Sequence, residues 1–199
     1  AMREISRIVP DAKALKALTH PERLKMLGIL RMEGPQTATT LAERLGLNSG
    51  ATSYHLRQLA EHGFIEADEA RGNRRDRWWT AQHEATVLEL AEAEPGEAYD
   101  ASMAMMQSVV SHHAAAMQRA HEGFADLPKD WQKAQTFSDY TIAMSPEAAQ
   151  ALIADFHALL MQHKAEAPAP GETLPEGWRP FTVHLHGFPY QPFGKGEDK

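Results

Sequence analysis

The sequence predicts a mainly α protein with a small β part (α+β), and three observations carry that expectation. Leucines recur at helical spacing from Leu15 to Leu59, a single arginine-rich hairpin pattern follows, and residues 97–124 then repeat apolar side chains in steps of four and three. Two regions are expected: residues 1–82, carrying the leucine repeats and the hairpin, and residues 83–199, carrying the long repeat and a small α/β ending. At 199 residues, 43% hydrophobic and 24% charged, the chain has the composition of an ordinary soluble protein with a sizeable core.

Several function classes fall away early. No apolar run approaches the ~18–20 residues that cross a bilayer, and the opening AMREISRIVPDAK lacks the apolar centre of a signal peptide, its leading Ala reading as a cloning remnant. Without cysteine there is no disulfide, thiolate metal site or cysteine nucleophile, which fits a cytoplasmic protein outside the membrane. The formal charge of −7 argues against nucleic acid only until it is divided. Residues 1–80 hold 13 Lys/Arg against 10 Asp/Glu, net +3, and residues 81–199 hold 7 against 17, net −10. A basic working surface is thus joined to an acidic region that repels DNA and confines contact to the first half.

In DAKALKALTHPERLKMLGILRMEG, Leu15 and Leu18, then Leu24, Leu27 and Leu30, define two amphipathic helices. Pro21 suits a helix start, where its missing N–H costs nothing, and Gly34-Pro35 ends the second helix. TATTLAERLGLNSGATSYHLRQLAEHGFI follows. Leu41 and Leu45 face the core from a short helix, Gly46 supplies the turn, Leu47 plugs the corner, and Asn48 or Ser49 caps a helix over 49–62. Thr52, Leu56 and Leu59 share its inner face, and Gly63 closes it. Its outer face offers Ser49, Gly50, Ser53, Tyr54, Arg57 and Gln58, a set suited to close backbone approach and to bonding bases or phosphates, although any surface helix carries such residues. Two short helices about a tight glycine turn match a helix-turn-helix, whose second helix enters the major groove.

Next, Phe64–Ala67 reads as a strand, ARGN as a turn and RRDRWWT as a returning strand with Trp78 and Trp79 on opposite faces. Arg71, Arg74, Arg75 and Arg77 then crowd the tip of a hairpin, a wing able to follow the backbone or dip into the minor groove. A lone arginine cluster is usually a solvated face; one that directly follows a helix-turn-helix is more specific.

In order and spacing, LKALTHPERLKMLGIL, TTLAERLGLNSGATSYHLRQLAEHGFIE and RGNRRDRWW resemble the ArsR-type winged-helix transcriptional regulators over about residues 11–80. The resemblance implies a homodimer on two-fold double-stranded DNA, with Ser49, Ser53, His55 and Arg57 near bases or phosphates. Tyr54 would touch a phosphate or a thymine methyl, and Asn48 and Gln58 flank the set. Helical geometry could equally turn the His55 ring towards the core. The helix TATTLAERL lacks the cysteine pair of many metal-sensing members, which excludes thiolate sensing there, and the chain runs well past the family's usual compact form.

In the second half, Tyr99, Met103, Met106, Val110, His113, Met117, Ala120 and Phe124 form a heptad seam. It reads as the dimer contact, with packing against the rest of the chain as the alternative. Its methionines read as plain core, or as an adaptable cavity for a small-molecule effector. Of the histidines here (His112, His113, His121, His184, His186), the alternating His184 and His186 have the better chelating spacing. They are the candidates for a His-based metal-responsive regulator or for a rival metal-dependent hydrolase, for which no nucleophile–base spacing, HExxH or phosphate loop speaks. His113 could also sense pH. No cofactor is expected. TFSDYTIAM (136–144) reads as a strand, Ser145 as the cap of a helix over 146–164 burying Leu152, Phe156, Leu159 and Leu160, and RPFTVHLHGFP (179–189) as a strand pairing with the first. GKGEDK reads as a disordered tail. The best overall reading is a homodimeric DNA-binding repressor with a recognition helix over 49–62 and a wing over 71–77.

Overall fold

A computed structural model describes residues 3–71, 77–87 and 95–191. Each helix of the first half begins where a side chain satisfies its orphan N–H groups. Asp11 accepts from Ala14 N–H at 2.8 Å and opens α1 (Ala12–Leu18). His20 Nδ1 accepts from Glu22 N–H at 3.2 Å and opens α2 (Pro21–Glu33), with Pro21 in the first turn. Between β2 (Gln36–Thr37) and α3 (Ala38–Leu45), Thr37 and Thr40 cap one another: each hydroxyl accepts the other's N–H, at 3.1 and 3.0 Å. Gly46, at φ +65°, turns the chain, and Asn48 Oδ1 accepts from Ala51 N–H at 2.8 Å to start α4 (Ser49–Glu61). The cap is Asn48 rather than Ser49.

The wing follows as β3 (Ile65–Ala67) and β4 (Trp78–Ala81), antiparallel with Ile65 opposite Ala81 and Ala67 opposite Trp79. The sequence reading missed a third strand, β2, which pairs with the other edge of β4 to give the order β2-β4-β3. Trp79 is buried and Trp78 half-buried, as their opposite faces require. A second short ladder, parallel, joins β1 (Arg7–Ile8) to β5 (Ala85–Thr86). Leu18, Met26, Leu27, Leu30, Leu41, Leu56, Leu59, Phe64, Ile65 and Trp79 form the core at 5% exposure or less.

The second half is built otherwise. Helix α5 (Glu97–Glu122) packs on α1 through buried Ala101, Ser102 and Met105. The heptad residues lie on an adjacent face, where Tyr99, Met103, Val110, Met117 and Phe124 are 39–47% exposed and Met106 and His113 half-buried. A 3₁₀ turn (Phe124–Asp126) and α6 (Lys129–Ala134) lead to α7 (Pro146–Glu166), which Ser145 caps through Ala148 N–H. The far end of α7 returns to the first half: Arg3 donates to the carbonyls of Ala165 and Lys164, and Lys164 Nζ to that of Glu84. There a Cβ on Gly34 would stand 2.6 Å from Gly171 Cα, so only two glycines let these backbones cross.

Three expectations fail here. Residues 136–144 and 179–189 join no sheet. Phe137, Tyr140, Ile142, Phe181, Val183 and Phe188 are all more than half exposed. Helix α7 buries none of its residues, leaving Phe156 and Leu159 43% and 51% exposed and Leu152 and Leu160 half-buried. Alternation dictates an apolar face but not what covers it, and strand pairing needs a partner that these segments do not provide for each other. Among the described residues no helix is long and apolar enough to cross a membrane. The expected tail lies outside them.

Candidate nucleic-acid interface

Three elements meet along a groove of about 330 Å³: the start of α3 (Thr37, Ala38, Thr39), the outer face of α4 (Ser49, Ser53, Arg57), and the returning wing strand (Arg77, Trp79). The turn at Gly46 sets α4 across α3, and the ladder between β2 and β4 fixes the wing beside both. Arg57 is exposed, while the Arg77 guanidinium lies 4.3 Å from the centre of the Trp79 ring, a cation–π contact that aims it along the groove wall. Small hydroxyls, two guanidinium groups and the first turn of a capped helix together form a surface that accepts anionic oxygens.

The candidate contacts divide on this geometry. Ser49, Ser53, Arg57 and Arg77 are brought together. Tyr54 is 52% exposed on the flank of α4, and Gln58 is turned to Glu61, donating to its Oε2 at 3.1 Å. Asn48 spends its side-chain oxygen on the helix cap. Arg71 is tethered at the wing base, its Nε 3.4 Å from Asp68 Oδ2. Arg74 and Arg75 lie outside the described residues.

His55 requires a correction: it points inward, at 9% exposure, its ring 4.4 Å from that of His20. Its Nδ1 has no hydrogen-bond partner among the described residues, and neither does the buried Oε2 of Glu22. Desolvation holds the imidazole below its ordinary pKa, helped by His20 and Arg23 and opposed by Glu22, so it sits neutral beneath α4. The spacing contained this answer, since Thr52, His55, Leu56 and Leu59 complete an i, i+3, i+4, i+7 stripe. Thr37 to Thr39 were missed altogether. Their signal was the pair Thr37 and Thr40, a capping pattern that marks a helix N-terminus.

His184 and His186 do not form the chelating face of a strand. They lie in unladdered chain against His113 of α5. Among the described residues no group of three or more His, Cys, Asp or Glu is arranged to hold a metal ion.

Residues 18–67 match the helix-turn-helix domain family. Over 59 residues the chain is 42% identical to the HTH-type transcriptional regulator NmtR of Mycobacterium tuberculosis, covering 30% of this chain and 48% of that protein. Over 56 residues it is 38% identical to the HTH-type transcriptional regulator YgaV of Escherichia coli, covering 28% and 57%. The chain therefore spans about half the length of these curated relatives. A mutant of Lactococcus lactis ZitR in apo form is similar at 14% identity over 72% of this chain and 81% of that one, with a TM-score of 0.30, too slight a likeness to bear on fold or function. Within its first half, the chain carries a winged helix-turn-helix domain related to those of HTH-type transcriptional regulators.

Proposed function

We propose that the chain is a homodimeric, sequence-specific DNA-binding regulator of the ArsR-like kind, acting in the cytoplasm as a repressor and not as an enzyme. The convergence of Ser49, Ser53 and Arg57 of α4 with Arg77 of the wing on one groove supports it best. In this reading α4 enters the major groove. Ser49, Ser53 and Arg57 meet base edges or phosphates, Tyr54 and Gln58 reach from its flank, and Asn48 holds the helix start in place. Arg77, with Arg71, Arg74 and Arg75, follows the backbone or minor groove beside it. Thr39 and the first turn of α3 add a phosphate contact that the sequence did not single out.

The second copy packs along the α5 seam, whose Tyr99, Met103, Val110, Met117 and Phe124 are exposed and whose Met106 and His113 are half-buried. A self-complementary seam gives the two-fold symmetry that paired half-sites require. A small-molecule effector would act through the second half.

The test is titration of the purified chain onto DNA flanking its own coding region across a salt series. Affinity should fall steeply as salt rises, because each arginine–phosphate contact releases counterions. Salt-independent binding, or binding no tighter than to unrelated DNA, would refute the proposal.

A further inference from the structure

The second half has one polar cluster that the DNA-binding reading does not use. His113 of α5 stacks face to face on His184, ring centres 3.7 Å apart and planes 7° from parallel. Its Nδ1 is 2.9 Å from Nε2 of His186, whose ring stands edge-on to it at 4.9 Å. His112 is beside it at 6.1 Å. These imidazoles join residues 73 apart in sequence; residues 179–191 form no ladder, and the segment's other contacts are apolar, Phe181 near Trp131 of α6 and Gly187 against Ile153 of α7.

We infer that His113, His184 and His186 form a proton-operated clasp, which holds the extended segment 179–191 against α5 while the cluster carries at most one proton and releases it on uptake of a second. The limit follows from the donor–acceptor count. In the contact between His113 and His186 one nitrogen must donate and the other accept. One added proton is tolerated, because a charged His186 can donate from Nε2 to a neutral His113 Nδ1. A second proton, drawn from water onto His113 Nδ1, removes the accepting lone pair and sets two cations in contact. A proton on His184 instead places a cation on the stacked ring.

The surroundings offer no compensation. The charged groups acting on the cluster are Lys25 of α2 and Arg119 of α5, both through His112, and none of the four histidines makes an ion pair among the described residues. Burial first, then the neighbouring imidazoles, lower His113 from 6.5 to about 4, and burial lowers His184 as well. Groups depressed in the attached state favour attachment above their free value, so the clasp holds above about pH 6.5 and opens as pH falls towards 4. Because His113 is also a seam residue, opening uncovers the middle of that face.

The clasp is independent of the DNA-binding reading and is tested without DNA. The chain has no cysteine, so Ala115→Cys on α5 and Gln191→Cys at the end of the segment take spin labels at those two sites alone. Diluting labelled chains into unlabelled ones isolates distances within one chain. At pH 7.5 one narrow short distance is expected; at pH 4.5 the attached population should fall by about tenfold or more. His113→Leu combined with His184→Leu, which keeps an apolar contact and removes both depressed imidazoles, should make the distance the same at both pH values, and histidine titration by NMR should show no second proton entering the intact cluster above pH 6. An unchanged distribution in the unsubstituted chain, or release at pH 4.5 persisting in the double variant, would overturn the clasp.

Discussion

Residues 3–81 and residues 95–191 use apolar side chains in opposite ways. In the first region they converge: Leu18, Met26, Leu30, Leu56 and Phe64 come from three helices and a loop and are almost fully buried. In the second, only Ala101, Ser102 and Met105 are buried, and those by α1 of the first region. Its own aromatic and aliphatic residues, from Phe137 and Ile142 through Phe156 to Phe181 and Tyr190, remain largely exposed. An exposed apolar surface on this scale is an interface or a liability. The contrast teaches that one region folds on itself, while the other leaves its apolar surface open; the dimer proposal covers only the part of that surface on α5.

The largest effect should come from breaking the closed core. Leu56→Ala should cost about 2–5 kcal/mol in urea unfolding, because a fully buried leucine leaves a cavity. By contrast, Phe181→Ala should cost well under about 1 kcal/mol in a chain kept monomeric by dilution, and a large loss there would erase the distinction between the regions. Second, Arg57→Ala and Arg77→Ala should each weaken specific DNA binding by about 1–3 kcal/mol and reduce the salt slope where a phosphate contact is lost, measured by fluorescence anisotropy, while thermal stability stays within about 0.5 kcal/mol. Unchanged affinity in both would move the DNA surface elsewhere.

Third, Asn48→Ala should remove about 1 kcal/mol of stability through the lost cap of α4, and Asn48→Asp should restore most of it. The smallest effect concerns pH. His55 is depressed in the folded state, so the unfolded chain binds its proton first and stability falls as pH drops below 6.5. In His55→Leu, unfolding compared at pH 7.5 and 5.5 should show a smaller loss; an equal loss would mean that His55 does not contribute to the acid sensitivity of this domain.

The first region was legible because its signals are local. Spacings of three and four, an Asn or Asp before a helix, and Gly46 between two helices act within a few residues and fix helices and turn without knowledge of the rest. The outer face of α4 could be read the same way, apart from His55, whose polar ring suits a DNA contact while its position completes the inner stripe through Thr52, Leu56 and Leu59. β2 and β5 were not legible, because two residues carry no periodicity, and their pairing is decided across 40 residues or more of chain.

The sequence by itself determined the main helices, the turn at Gly46, the paired strands of the wing and the division of charge, since each depends on neighbours along the chain. Tertiary structure decided which hydroxyls and guanidinium groups share a groove, which way His55 turned, and that His113 meets His184 and His186. It also left 136–144 and 179–189 unpaired despite their alternation. The physical reason is the same in each case: a local pattern specifies conformation and an apolar face, but burial, stacking and pairing depend on which distant surface arrives to meet that face.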